Sequence, residues 1–396
     1  MKYTKLYTCL IAAAAVAAPM TAQAAYNIYS KDGLTVDFGG NVTAQFSKKH
    51  NKFTYKHDSA RYYYNYDISD WESAQAGHDV ENSDRRARLG FDRGSSWLQI
   101  RGQQRINQDV RATATVQLGY YKNDLNLSAA NVALDWRNLG SVTLGKQFLH
   151  SGYVTRTDTY YPLEYFGNSS IRVDYTGVPE LQVSAYHLFP SQDDVRKTDN
   201  TNEIRGNGIS ASYRLRIAPD HSVRFAAGYT QSKRNPNTTT TWTSKKKHAV
   251  AGSVEYKYRD LTVAGDIGQE KEKIDIATLG EAKSNFYGVK AEYAFTPRFK
   301  MAAGYGVQNT KKTAGSVGAF NLNAGWQDPD FIAANEEYIF PKIKRNRYYL
   351  KADYDLRDNV TVYGKVDFEN TKNYVDGELF SKRQRRELTA GISVTF

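Results

Sequence analysis

The chain has 396 residues, a formal charge of +11 and a mean hydropathy of −0.64. No bulk hydrophobicity marks a helical membrane protein, and past residue 24 no apolar run approaches the ~20 residues that a spanning helix requires. The basic residues are scattered and set against 42 acids, without the dense basic stripe of a nucleic-acid footprint, so no nucleic-acid partner is expected.

The N-terminus speaks to the compartment. Met1-Lys2-Tyr3-Thr4-Lys5 is short and positive, Leu6 to Ala18 is apolar, Pro19 breaks the run, and Ala22-Gln23-Ala24 has the form of a cleavage site. This pattern predicts a secretory signal peptide over 1–24 and a mature domain over 25–396. The one cysteine, Cys9, would leave with the signal, so the exported chain is expected to hold no disulfide and no Cys metal site. Loss of Lys2 and Lys5 lowers the formal charge from +11 to +9.

From there the chain alternates. Successive side chains on a strand point to opposite faces. VRATATVQLGYY puts Val110, Ala112, Ala114, Val116, Leu118 and Tyr120 on one face, and ELTAGISVTF at the end does the same with Leu388, Ala390, Ile392, Val394 and Phe396. Helical spacing is absent over any comparable length. The pattern predicts sixteen strands near 34–47, 96–106, 110–121, 128–137, 140–148, 170–176, 180–188, 206–216, 221–232, 247–258, 260–269, 285–295, 298–307, 346–356, 359–369 and 387–396. Arg86 to Phe91 also alternates; it either extends the second strand through a bulge or lies in the first loop, and the even strand count favours the loop. Tight turns such as Asn138-Leu139-Gly140 and Ala218-Pro219-Asp220 alternate with longer polar stretches, the longest at 48–95 and 307–346. An outer-membrane barrel has that rhythm, with short periplasmic turns and long extracellular loops.

The two faces differ in what they can touch. Arg111, Asp135, Arg224, Glu255, Asp266, Lys290, Lys351 and Asp353 fall on the polar face. A dry core could not solvate them cheaply, whereas a water-filled lumen could. The apolar face therefore meets lipid. Its tyrosines and tryptophan near strand ends, Tyr120, Trp136, Tyr175, Tyr213, Tyr229, Tyr256, Tyr293, Tyr305 and Tyr354, suit membrane–water girdles.

Several segments carry a family resemblance. Tyr29-Ser30-Lys31-Asp32-Gly33 and Val36-Asp37-Phe38-Gly39-Gly40 open the mature chain, Gly140 to Lys146 reads GSVTLGK, Pro162 to Gly167 reads PLEYFG, and Phe396 ends the chain on an aromatic. In order and spacing these resemble the Gram-negative general porins, which are trimeric sixteen-stranded diffusion channels. The resemblance implies a 16-stranded antiparallel transmembrane β-barrel in the outer membrane whose third loop folds inward. It also implies a homotrimer, contact with outer-membrane lipid and lipopolysaccharide, and Phe396 as the barrel-insertion signal read by the barrel-assembly machinery. Carried over residue by residue, Glu164 is the acid of the third loop, with Asp158 a second candidate. Lys146 stands for the wall arginine and Arg172 is a further basic member. Asn41 and Trp97 replace the expected lysine and arginine of the first two strands, unless Arg88 matches instead. Arg101, Arg105 and Arg111 point inward by parity and could restore the basic side.

The expected function is passive diffusion of small hydrophilic solutes and ions through a charge-lined constriction, mildly anion-preferring, with no cofactor and no metal. One alternative is a substrate-specific channel for oligosaccharides or phosphate, with the aromatic run Arg61 to Tyr66 and Trp71 as a platform at the mouth. An outer-membrane enzyme is disfavoured. Catalysis needs a nucleophile beside a positioned base, and no nucleophile motif adjoins His50, His57, His78, His150, His187, His221 or His248.

Overall fold

The computed structural model describes residues 25–55, 61–65, 70–74, 79–83, 88–91, 96–121, 124–190, 203–235, 245–274, 281–314, 341–375 and 377–396. The predicted signal peptide lies outside them. The strands are β1 (Ala25–Lys31), β2 (Leu34–Tyr55), β3 (Arg61–Asn65), β4 (Asp70–Ala74), β5 (Asp79–Ser83), β6 (Arg88–Phe91), β7 (Trp97–Arg105), β8 (Val110–Tyr121), β9 (Asp124–Trp136), β10 (Gly140–Phe148) and β11 (Phe166–Tyr175). They continue as β12 (Leu181–Leu188), β13 (Glu203–Ala218), β14 (His221–Asn235), β15 (Lys245–Tyr258), β16 (Leu261–Ile274), β17 (Glu281–Thr296), β18 (Phe299–Ala314), β19 (Lys342–Arg357), β20 (Val360–Val375) and β21 (Glu378–Thr395). From β7 to β21 each strand pairs antiparallel with the next, and β21 pairs with β2, closing a sixteen-stranded barrel.

The first and last described strands meet at the seam. On one edge of β2, Leu34–Gly39 pairs with β1 and Asn41–Tyr55 with β21, so the N-terminal strand completes the wall beneath the C-terminus. The Gly40 amide donates to the Phe396 carbonyl at 2.7 Å, and the Phe396 amide donates back to the Gly40 carbonyl at 2.9 Å. Inside the seam, Asn41 accepts hydrogen bonds from Ser393 and Thr395 at 2.8 and 2.9 Å.

On its other edge β2 pairs in succession with β7, β6 and β5. The segment 88–91 is therefore part of the second wall strand and not of the first loop. Asn41 pairs with Trp97 and Ala44 with Phe91, so five residues of sequence separate one pair of partners where two separate the other on β2. Such an excess on one strand shifts the face on which later residues fall, and the segment joins the second strand without adding to the strand count, whose evenness had favoured the loop.

Local chemistry sets the short turns. The Asn107 side-chain carbonyl accepts the amides of Asp109 and Val110 at 2.9 and 2.8 Å, and Thr296 Oγ1 accepts those of Arg298 and Phe299 at 3.3 and 3.0 Å. These side chains mimic backbone turns and stop the strand locally.

The opposite ends differ from expectation. Residues 232–235, 245–246, 270–274, 281–284 and 370–375 belong to strands, not loops. Above the lipid both faces of a strand meet water, so hydropathy stops alternating while the backbone ladder continues. The wall is accordingly uneven: β10, β11 and β12 have 9, 10 and 8 residues, while β17 to β20 have 16 each. In the first loop β3 pairs with β4, setting Tyr64 opposite Trp71, while Tyr66 lies outside the described residues.

The predicted outward face is the exposed one. Ile267 is 59% exposed, Val289 56%, Leu350 48% and Ile392 40%, while the neighbouring inward Thr43, Ser210 and Thr371 are at most 1% exposed. Large apolar side chains left uncovered around the wall, on β2 and on β7 to β21 except β12, need an apolar solvent, and a bilayer supplies one.

Candidate functional site

The connection between β10 and β11 folds into the barrel. Its base is closed by the Leu149 amide donating to the Tyr165 carbonyl at 2.8 Å, and it begins with a 3-10 turn, His150–Tyr153. It then runs along the inner wall formed by β13–β19. The fixing points are specific. The Asp266 carboxylate on β16 accepts the amides of Arg156 and Thr157 at 2.9 and 2.8 Å and the Thr157 hydroxyl at 2.6 Å. The Tyr349 hydroxyl donates to the Thr157 carbonyl at 3.1 Å, the Arg347 guanidinium to the Thr159 carbonyl at 3.3 Å, and Ser253 to the Val154 carbonyl. Val154 and Leu163 pack with Ala226, Ala249, Ala251 and Phe286 in an apolar patch between loop and wall.

Glycines make the approach possible. A Cβ at Gly288 would overlap Thr157 and come within 2.7 Å of Thr159 Oγ1, and one at Gly306 would stand 2.5 Å from Thr159 Cβ. Both glycines face inward on the wall that the loop covers.

Asp158, the tip of the loop, adopts a left-handed backbone with φ of 58°. Its carboxylate accepts hydrogen bonds from Lys290 Nζ and from the Tyr161 hydroxyl, both at 3.0 Å. Burial alone would raise the Asp158 pKa, but the Lys290 charge and its hydrogen bond outweigh that and hold it below the usual carboxylate range. Asp158 is thus charged at neutral pH and faces the open channel.

The remaining channel is a cavity of about 1760 Å³. Arg224, Glu255, Lys290, Lys351 and Asp353, inward by parity, all line it, and so does Asp158. Arg347, Tyr349, Lys365, Glu369 and Arg385 also line it, and the sequence reading did not single them out. A signal for them exists. On one strand face, cation and acid recur two residues apart as Lys351–Asp353 at 2.9 Å, Lys365–Asp367 at 3.1 Å and Arg385–Glu387 at 2.5 Å. Lys290–Glu292 repeats the motif at 3.5 Å.

The other candidates stand elsewhere. Glu164 is 6% exposed, accepts a hydrogen bond from Ser232 at 2.9 Å and lies 3.8 Å from Arg234, so it fastens the returning arm of the loop to β14. Lys146 pairs with Ala130 in line with the outward Leu144 and Val142, and its ammonium lies 5.7 Å from the centre of the Phe166 ring. Glu164 and Lys146 are not brought together, and neither lines the cavity. Arg172 bonds Asp174 at 2.7 Å and the Phe148 carbonyl, bracing the root of the loop. Arg101 pairs with Asp37 at 3.2 Å and Arg111 with Asp135 at 3.5 Å, while Arg105 stands exposed at the end of β7. Arg88 pairs through its backbone with Ser47, and its side chain lies outside the described residues. Phe396 sits at the seam, its ring 6.0 Å from that of Phe38.

His150 carries a pH dependence. Nδ1 lies 3.1 Å from Ser210 Oγ, and the ring is 7% exposed. Burial is the main cause that lowers its pKa from 6.5 to about 4; Asp174 opposes the shift, while Arg172 and Arg156 add to it. The unfolded state then binds more protons between pH 6.5 and 4, so stability falls as pH drops through this window. The expected loss is about 2 kcal/mol by pH 5. Thermal unfolding of the parent and of His150→Gln at pH 7.5 and pH 5 measures it: the substitution should flatten the acid-side fall, and parallel profiles would rule out His150 as its source.

A closed barrel with an oily exterior, a charged interior and one connection folded inside it is an outer-membrane channel. The chain belongs to the Gram-negative porin family, whose model matches residues 9–374. No curated protein matches it. Among solved structures it is similar to outer-membrane-expressed OmpT of Vibrio cholerae, with a TM-score of 0.61 and 15% identity over 93% of this chain and 100% of that one. A trimer form of OmpT gives 0.60 and 13% over 92% and 100%. An anion-selective porin from Comamonas acidovorans gives 0.58 and 15% over 92% and 100%. At these identities the likeness speaks to the fold alone.

Proposed function

We propose that the chain is a general diffusion channel for small hydrophilic solutes and ions, with Asp158 and Lys290 at its charged constriction. The observation that carries this reading is the loop pinned inside the barrel, with the acid at its tip, Asp158, directed into the cavity. Lining radius and lining charge decide what passes. The cavity is lined by twelve Lys and Arg residues and ten Asp and Glu residues, a narrow basic excess that favours anions mildly. Most of these charges are tied in pairs, which weakens any one of them as a selectivity determinant. The roles we assign to the other candidates follow their contacts: Glu164 and Arg172 hold the loop, and Arg101 and Arg111 are neutralised wall cations.

Planar-bilayer recordings in a salt gradient test the proposal. The parent should show ohmic current and a reversal potential slightly on the anion side. Asp158→Asn should raise the anion-to-cation permeability ratio about twofold, since it removes the acid at the tip of the inward loop. Lys146→Gln should leave the ratio unchanged. Strong cation preference in the parent, or blockade by oligosaccharides at micromolar concentration, would overturn the general-diffusion reading.

A catalytic role is not supported by the Ser–His contact inside the barrel. Ser210 beside His150 is 1% exposed, so no substrate reaches its hydroxyl. The homotrimer is proposed from the resemblance and from the trimer form of OmpT. The low side of the wall, where Val132 is 56% and Leu144 53% exposed, is the face we assign to contact between copies.

A further inference from the structure

Two adjacent strands of the inner wall carry the same face. On alternate, inward positions β19 reads Tyr349, Lys351, Asp353 and β20 reads Tyr363, Lys365, Asp367. The strands are antiparallel, and their register sets Lys351 opposite Lys365, Tyr349 opposite Asp367 and Asp353 opposite Tyr363. A half-turn about the midpoint between the lysines therefore exchanges the two motifs. The contacts follow that symmetry. Lys365 lies over the Tyr349 ring, 4.9 Å from its centre, and Lys351 lies over the Tyr363 ring at 6.0 Å. Each lysine pairs with the aspartate of its own strand, Lys365 with Asp367 at 3.1 Å and Lys351 with Asp353 at 2.9 Å. The two ammoniums, opposed in register, are thus drawn apart, one toward each end of the patch.

The halves differ in what covers them. The inward loop is seated on the upper one. The Tyr349 hydroxyl donates to the Thr157 carbonyl at 3.1 Å and lies 3.5 Å from the Asp158 carboxylate, and Arg347 gives Asp367 a second cation at 3.1 Å. In the lower half, toward the short turn 357–360, Thr361 stands where the symmetry would set a second arginine. The Lys351 side chain is 39% exposed against 15% for Lys365, and Tyr363 is half-buried where Tyr349 is buried. Lys351, Asp353 and Tyr363 all line the cavity. One copy of the motif is filled by a carbonyl and a carboxylate of the chain itself, and the other faces the solute path.

We propose that the lower copy is a subsite for small monocarboxylates that bear a hydroxyl or amino group beside the carboxylate. The Lys351 ammonium takes the carboxylate, as a charge-assisted hydrogen bond. The Asp353 carboxylate accepts from the neighbouring hydroxyl or ammonium, and the Tyr363 ring gives the carbon skeleton an apolar floor. Lys351 and Asp353 offer a cation and an acceptor side by side, and such a solute offers an anion and a donor side by side, so the two align head to tail. An anion without the donor must compete with Asp353 for Lys351 and gives nothing back. A second negative charge would meet Asp353 and be repelled, which sets this class apart from dicarboxylates and from phosphate. The subsite lies on the periplasmic side of Asp158, so a solute that clears the loop reaches it next. The inference deepens the diffusion-channel reading and rests on it only in that solutes cross the lumen.

Ligand-detected NMR on the full chain in neutral detergent tests it, with lactate as the probe and acetate, succinate and inorganic phosphate for comparison. Lactate should bind the parent about threefold more tightly than acetate, the scale of one added hydrogen bond, and succinate and phosphate should bind more weakly than either. Lys351→Gln should weaken lactate about fivefold, as for loss of one partly exposed ion pair. Asp353→Asn should abolish the preference for lactate over acetate and strengthen succinate. Lys257→Gln, which removes a lining cation on β15, should leave lactate unchanged. Lactate binding no better than acetate or phosphate, an unchanged affinity in Lys351→Gln, or an equal loss in Lys257→Gln would each overturn the proposal. Should Lys351→Gln fail to fold, Tyr363→Leu takes its place with an expected loss of about threefold, and an unchanged affinity there overturns it equally. Chloride conductance, recorded separately in planar bilayers, tests the channel reading. A current without lactate binding defeats this inference alone, whereas binding without a current defeats the channel reading and leaves the subsite standing.

Discussion

Replacing Gly288 with valine should lower single-channel conductance by about half or more, because pore width sets the current. The new Cβ would overlap Thr157, which the Asp266 carboxylate and the Tyr349 hydroxyl hold against the wall from either side. Overpacking a fitted contact costs about 1–3 kcal/mol, and the wall cannot retreat because its backbone is fixed by the ladders of β16 and β18 on both sides. The loop must therefore move toward the channel axis. Asp266→Ala makes the opposite comparison, since it removes the acceptor of three hydrogen bonds without adding bulk. A hydrogen bond to a charged group contributes about 1.5–3 kcal/mol, so losing even one loosens the loop by an order of magnitude or more. That variant should give a fluctuating current with brief closures, distinct from the steady reduced current of Gly288→Val. Steady, full-size currents from both would show that the loop does not set the width.

Deleting Phe396 should reduce the yield of closed barrel about tenfold or more, through loss of two backbone hydrogen bonds and one aromatic contact at the seam. Gly40 exchanges both of its hydrogen bonds with Phe396 and lies under its ring, so the last residue is structural at the point of closure. Refolding into detergent separates this from recognition by an assembly machinery. If the truncated chain refolds in vitro as well as the parent does but fails to accumulate in cells, the residue acts as a signal. If both fail, the seam itself is the cause, and Phe396→Tyr should restore both. Undiminished yield in both settings would remove Phe396 from either role.

The barrel was legible because its two faces obey opposite solvents. Leu388, Ile392 and Val394 alternate with Thr389, Ser393 and Thr395, and no soluble core explains charges such as Lys351 and Asp353 on the wet side. The same logic failed where its premise lapsed. Above the bilayer water touches both faces, so the tails of β14, β16 and β20 read as polar stretches although their ladders are unbroken. Phe91 and Trp97 belong to one wall strand, but five residues separate them where two separate their partners Ala44 and Asn41, which puts them out of step. The site was read less well for a related reason. Motif likeness marked Glu164 because it lies in the loop, yet whether a loop acid faces the channel or the wall depends on contacts far away in sequence, here Ser232 and Arg234. Asp158 was equally visible as a letter, and only its left-handed backbone and the approach of Lys290 separate it from its neighbour. Asp266 was placed inward correctly, but nothing in a strand's alternation says that an acid will hold a loop.

The unequal strand lengths have a geometric result. Along β17 to β20 the sheet stands several residues taller than along β10 to β12. The described strand wall is therefore cut on a slant, a parapet on one flank and a sill on the other. Three copies joined at their sills would open onto one shared courtyard ringed by tall masonry. A bulky particle arriving from the side would strike the rampart first, while a sugar or an ion could drop into any of the three wells from above.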